Sequence, residues 1–421
     1  MTAADTAKDL FTQDGVPLKV KLRRAERARK LWALSLVAPL FFFIVIAFIL
    51  PIFSLLKLSV EDQELGEIMP ETAAAFRAWD GEGFPPPEAM MTFARELVPA
   101  TESRQVGTIG RRVNYVNSGL KSSVMKTGRA AEDDLVGVPA DQILDAFIAV
   151  DKVWAEPDTW YALKTAASPY SEFYLLWAFD LERGTGNEIV DRPANESVYR
   201  DVLWNTIEIS IVTTLLCLAL GLPVAYLLCN TKPTTSNLLL IFVLLPFWTS
   251  LLVRTTAWVV LLQSQGLINE LGQWVGLWSD PLELIRNRFG VYVAMVHIQL
   301  PFMVLPIYSV MKGINPWHMR AAESLGAPPW KAFLKVYLPQ CTPGIGAGVL
   351  LVFILSLGYY ITPALVGGPR DQMISYYIVE NMNRLLNWGL AAALSVLLMA
   401  ITLIFFFIFN RLVGFDKLRM G

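Results

Sequence analysis

Apolar positions in this chain are gathered into long unbroken runs instead of being spaced one face at a time. The runs Leu34–Leu56 and Leu394–Phe409 exceed what a core strand or helix of a soluble domain requires. A helix needs about 20 mostly apolar residues to cross roughly 30 Å of hydrocarbon. Six segments meet that length: Leu31–Leu56, Val202–Cys229, Leu238–Leu262, Phe289–Val310, Pro343–Val366 and Trp388–Val413. Pro246 and Gly221 fall inside two of them, and packed membrane helices tolerate both residue types.

Between the first and second runs the pattern changes. Ile143, Phe147, Val150 and Trp154 recur at helix spacing after Pro139-Ala140-Asp141, while Pro85-Pro86-Pro87 and Gly184-Thr185-Gly186 mark loops. The pattern therefore predicts an all-α polytopic membrane protein with a mostly helical insertion. Its parts are a basic segment at 1–30, a first span at 31–60, the insertion at 61–200, a five-span core at 201–415 and a tail at 416–421. The core carries a loop at 313–342.

Composition sharpens this reading. Of 421 residues, 54% are hydrophobic and 17% charged, against about 25% charged in an average chain. Such a balance excludes a disordered chain, a collagen and a disulfide scaffold. Three cysteines (Cys217, Cys229, Cys341) and two histidines are too few for most metal centres. The net charge of −2 conceals a segregation. Residues 61–200 hold 13 Lys/Arg against 24 Asp/Glu, a balance of −11, and the remainder 22 against 13, or +9. Seven basic residues between Lys19 and Lys30 precede the first span and predict a cytoplasmic N-terminus. The loop Lys312–Lys335 and the tail with Arg411, Lys417 and Arg419 then face inside too, and the acidic insertion faces outside. Arg286, Arg288, Arg370 and Arg384 run against this majority. The first span is too long for a cleavable signal peptide, and no small-residue cleavage site follows it. The Lys19–Lys30 cluster serves topology or anionic lipid equally well, and Asn195-Glu196-Ser197 reads as a chance sequon. With no phosphate-binding glycine loop, no nucleophile–base arrangement and no internal repeat, the sequence offers no catalytic site.

The most informative stretch is His318–Ile345. Arg320-Ala321-Ala322-Glu323-Ser324-Leu325 favours helix up to Gly326, which suits a helix stop. Pro328-Pro329 permits a second start at Trp330, with Trp330, Phe333, Leu334 and Tyr337 on one side and Lys331 and Lys335 on another. Leu338-Pro339 closes this piece ahead of the next span. By composition alone it is an interfacial hairpin or a docking surface.

The spacing resembles the signature loop of ABC importer permeases: Glu-Ala-Ala, three residues, Gly, nine residues, Ile-x-Leu-Pro. Ala321, Ala322, Gly326, Leu338 and Pro339 fit, Val336 stands for the isoleucine, and Arg320 occupies the usual glutamate position with Glu323 one turn away. Leu245-Pro246-Phe247-Trp248-Thr249-Ser250 with Arg254, Pro301–Tyr308 and Ile361–Pro369 are similar to permeases for spermidine and putrescine. The resemblance covers most of 31–60 and 200–415 and says nothing of the insertion. It implies the type I importer permease fold in a bacterial inner membrane. The loop would dock as a coupling helix on an ATPase dimer that holds ATP-Mg, so this chain needs no cofactor of its own. A second permease subunit, a periplasmic solute-binding protein and membrane lipid would complete the assembly, with no nucleic acid partner. Other members of that branch carry further amines, amino-acid derivatives and opine-like solutes.

For the translocation path the candidates are Trp248, Thr249, Arg254, Trp258, Tyr359 and Tyr360. Aromatic faces hold ammonium groups by cation–π attraction, and ordinary packing is the competing account. Arg254 reads as snorkelling or pairing with a carbonyl, since an unpaired arginine repels a cationic solute. Glu208 reads as a hydrated interfacial group. An ATP-independent channel or carrier, or a membrane scaffold, would also explain six spans. The broken-helix pairs of a secondary carrier are not evident in the sequence.

Overall fold

The computed structural model describes residues 18–184 and 188–413. The first part of the basic segment, Thr185 and Gly186 of one anticipated loop, and the tail 416–421 with Lys417 and Arg419 lie outside the described residues. The chain forms two units, residues 1–57 and 58–421. In the first, helix Leu18–Ile44 passes through a π turn at Val45–Ile49 into Leu50–Leu58. Pro51, which lacks the N–H of a regular helix position, follows that turn.

The insertion is helical as anticipated, with one small antiparallel hairpin, Leu181–Arg183 against Ile189–Asp191. Its core is aromatic. Phe93 stacks on Phe147 at 5.9 Å, and Trp154 lies 4.7 Å from Trp160. Both indoles are satisfied: Trp154 Nε1 donates to Thr127 Oγ1 at 2.8 Å, and Trp160 Nε1 to the Trp154 carbonyl at 2.9 Å. The anticipated helix from Ile143 stops at Val150. Asp151 is extended, and its carboxylate caps a separate 3-10 turn that delivers Trp154 to the core.

The insertion is also built into the membrane unit. Helix Phe173–Ala178 packs on the last span, where a Cβ on Gly389 would lie 2.4 Å from the Tyr174 ring. Phe173, Tyr174, Tyr199 and Ile374 share one apolar cluster with Leu390 and Leu394.

Among the described residues six helices are long and apolar enough to span a bilayer, and the chain is a multi-pass membrane protein. The second, Tyr199–Asn230, the fourth, Arg288–Gly313, and the fifth, from Leu338, pack closely through glycines. A Cβ on Gly221 would meet Met303 Cγ at 2.9 Å, and one on Gly344 the Pro306 carbonyl at 2.8 Å.

Two anticipated spans are corrected. The third, placed at Leu238–Leu262, is not one helix: Pro233–Leu244 tightens into a 3-10 turn at Leu245–Trp248, and a new helix starts at Leu251. Pro246 sits at the start of that turn, and Ser250 caps the new helix by accepting from Val253 N at 3.2 Å. The fifth, placed at Pro343–Val366, ends at Leu357 and resumes as Ile361–Val366. The fold therefore contains two interrupted helices that the sequence pattern did not disclose. They meet: Thr255 Oγ1 and Thr362 Oγ1 share a hydrogen bond of 3.2 Å.

Candidate functional site

The loop helix runs Trp317–Ser324 and begins where Asn315 Oδ1 accepts from Trp317 N at 3.0 Å. Gly326 ends it in the left-handed region, at φ +91°. There Gly326 N returns to the Glu323 carbonyl and Ala327 N to Ala322, satisfying the helix's last acceptors. No neighbour lies within 4 Å of a Cβ placed on Gly326, so glycine is required by backbone conformation and not by crowding within this chain. Arg320 lies over the Trp317 ring, 4.9 Å from its centroid. Arg320, Ala321 and Glu323 are exposed, Ala322 is half-buried, and Leu325 is 89% exposed.

The second half of the loop departs from expectation. Leu338-Pro339 does not close it: helix Pro329–Ala332 passes through a π turn at Phe333–Tyr337 directly into Leu338–Leu357. Pro339 falls in the first turn after the π segment, where a missing N–H is tolerated. Nor do the four apolar side chains share one environment. Phe333 and Tyr337 pack on Tyr226, at 5.3 and 5.8 Å, whereas Trp330 and Leu334 stay exposed. Val336 and Leu338 are half-buried. His318 Nδ1, 2.7 Å from Gln340 Oε1, ties the loop helix to the same continuous rod.

The path candidates are spread over the third and fifth spans, and one of them meets the fourth. Trp258 Nε1 donates to His297 Nδ1 at 3.1 Å. Arg254, one turn before Trp258 on the same helix, has its Nε buried with no hydrogen-bond partner among the described residues. Tyr359 and Tyr360 are half-buried in the fifth-span break. Trp248 is 73% exposed and Thr249 is exposed beside the Pro246 carbonyl, which its hydroxyl reaches at 3.1 Å. The structure thus joins Trp258 to His297, which the sequence did not single out, with Arg254 one turn away on the Trp258 helix, while Tyr359 packs separately against Ile209, Val291 and Met295.

Two further polar groups also escaped sequence reasoning. Gln299 and Ser356 are fully buried and bonded at 2.9 Å, with Gln299 Nε2 left unpartnered among the described residues. Arg288, at the start of the fourth span, reaches Glu208 at 2.8 Å, Asp371 at 3.0 Å and Asn205 at 2.8 Å. Glu208 is thus a salt-bridge partner rather than a merely hydrated group. Intramembrane polar residues were a signal for Gln299, but nothing in the sequence paired Arg288 with two distant carboxylates.

The family described as binding-protein-dependent transport system inner membrane component matches residues 218–415. The chain is 32% identical over 214 residues to the spermidine/putrescine transport system permease protein PotB of Haemophilus influenzae, covering 51% of this chain and 75% of that protein. It is equally 32% identical to PotB of Escherichia coli over 203 residues, 48% of this chain and 74% of the relative. A crystal structure of a bacterial ABC transporter involved in the import of the acidic polysaccharide alginate is 18% identical, with a TM-score of 0.45 over 51% of this chain and 79% of that one. On the sequence relationship to PotB, the chain belongs to the binding-protein-dependent inner membrane components, the transport permeases of ABC importers, whose ATPase is a separate subunit.

Proposed function

We propose that this permease forms, with a second permease subunit, the bilayer path for polyamine-like cations such as spermidine and putrescine. The basic N-terminal stretch and the 313–342 loop face the cytoplasm, as do both termini, and the insertion faces the periplasm, where a solute-binding protein delivers its load. An ATPase dimer holding ATP-Mg docks on Arg320–Gly326. The observation that carries this reading is mechanical. The exposed Trp317–Ser324 helix is tied through His318–Gln340 to a helix that runs unbroken from Pro329 to Leu357 and ends at Gly358–Tyr360 beside the path residues. A displacement imposed at the loop is thereby delivered to the break. Val336, Leu338 and Pro339 lie along that rod as coupling residues.

In the path, Trp258 and Tyr359 offer aromatic faces for ammonium groups, worth roughly 0.5–2 kcal/mol each, with Trp248, Thr249 and Tyr360 nearer its ends. One observation favours a second reading, an importer for an amino-acid derivative or opine-like amine. Arg254 Nε and Gln299 Nε2 are buried donors lacking acceptors among the described residues, a setting that suits a solute bearing a carboxylate. Competition separates the readings. In the reconstituted importer with its binding protein, unlabelled spermidine should displace labelled putrescine uptake while amino acids and opine-like amines do not. ATP-dependent uptake of a labelled amino acid or opine-like amine, with none of putrescine, discards polyamines and retains the importer.

A further inference from the structure

A second concave site lies in the insertion, far along the chain from the path residues. It is a cavity of about 660 Å³ between helix Pro157–Ala167, the Ser168–Leu176 stretch and strand Leu181–Arg183, a size in the range of small-molecule sites. Both basic side chains on its wall are already engaged. Lys164 Nζ donates to the Trp79 carbonyl and lies 5.7 Å from that ring, and Arg183 is paired with Glu172. Glu182, also on the wall, is paired with Arg192 at 3.6 Å. Asp158 is different: among the described residues its carboxylate has no ion pair and no hydrogen bond, and it is exposed to the cavity mouth. Tyr161, Tyr170 and Phe173 line the same space, the Phe173 ring being already covered by Arg112. What the cavity has left to offer is thus the free carboxylate of Asp158 and the rings of Tyr161 and Tyr170. This is recognition chemistry for an alkylammonium group, which gains a charge-assisted hydrogen bond from the acid and cation–π attraction from the rings.

We propose that this cavity is an accessory binding site for an organic ammonium ion, separate from the translocation path and not dependent on its assignment. Phe173 gives the site a route to the rest of the molecule. The ring that lines the cavity also carries Arg112, 4.4 Å from its centroid, and joins the cluster packed on the last span.

The test is calorimetric titration of the purified full chain in lipid nanodiscs, with putrescine and tetramethylammonium as probes and sodium acetate as control. The proposal expects saturable binding of both cations and none of acetate. Asp158→Asn should weaken binding about tenfold, the order expected for one charge-assisted contact. Asp158 has no partner to lose, so that variant should fold normally. Tyr170→Ala, at an exposed ring, should weaken binding severalfold, and Tyr161→Phe should retain it. Absence of saturable cation binding, or equal affinity in Asp158→Asn, overturns the site. Binding is read on the isolated chain and uptake on the assembled importer, so failure of either assignment is recognised separately.

Discussion

Asp62 and Arg112 are almost completely buried together, with two guanidinium nitrogens on one carboxylate oxygen at 2.8 and 2.5 Å. Removing one member leaves the other charge buried without compensation, a loss of about 3–5 kcal/mol. Arg112→Met should therefore lower the thermal midpoint of the insertion sharply, whereas a double apolar replacement of both residues should recover much of it. Equal midpoints for Arg112→Met and wild type would refute this role. Glu64 stands beside the pair, 3.1 Å from Arg111. Burial pushes its carboxyl above the ordinary range, against the opposing pull of Arg111 and with help from Asp62. The folded chain therefore binds that proton more tightly than the unfolded chain. Stability must fall as pH rises from the ordinary carboxylate value through the raised one. Unfolding midpoints across that window should decline less steeply in Glu64→Gln, and parallel slopes would contradict the assignment. None of this was legible beforehand: an acidic block of −11 says nothing about which few charges go inside.

Helices and their ends were read unevenly from sequence. Gly326 was legible because a left-handed helix stop has a residue signature, and φ +91° bears it out. A non-glycine residue there is strained by roughly 1–2 kcal/mol, with asparagine tolerated best. Gly326→Asn should thus keep more solute-stimulated ATP hydrolysis than Gly326→Val, and indistinguishable rates would separate the loop's shape from its work. The two interrupted spans were not legible. Hydropathy averages over a break, so Leu245–Ser250 and Gly358–Tyr360 stayed hidden inside apolar runs despite Pro246 and Pro363. Leu338-Pro339 misled in the opposite direction, since the helix runs through it. Close packing follows the glycine stripe of the fifth span. A Cβ on Gly348 would lie 2.9 Å from Met303 Sδ and 3.0 Å from its carbonyl. Gly348→Val should accordingly lower the detergent-solubilised midpoint far more than Gly313→Ala, where a Cβ meets nothing within 4 Å.

At the scale of the whole molecule, the spans and the acidic insertion were visible in the hydropathy pattern because bilayer thickness imposes a length on apolar runs. How the insertion is mounted was not. It grips the Gly389 end of the last span through Tyr174, so it is not a removable appendage. Deleting residues 66–190 would strip Phe173 and Tyr174 from that cluster, and point substitutions are the sounder probe of what the insertion contacts. The path was partly legible: Trp258 and Arg254 stood out in the sequence as polar or aromatic groups in an apolar run, but the partners His297 for Trp258 and Ser356 for Gln299 follow from how the fourth span packs, which no local pattern encodes. Solute movement driven from the 313–342 loop, as proposed above, requires ATP at the partner subunit. The most direct test of this requirement is uptake of labelled putrescine into proteoliposomes holding both permeases, the ATPase dimer and the binding protein, with ATP supplied or withheld. Transport driven through this loop accumulates solute only with ATP and binding protein together, and loses that accumulation in Gly326→Val. Equal uptake without ATP would contradict it.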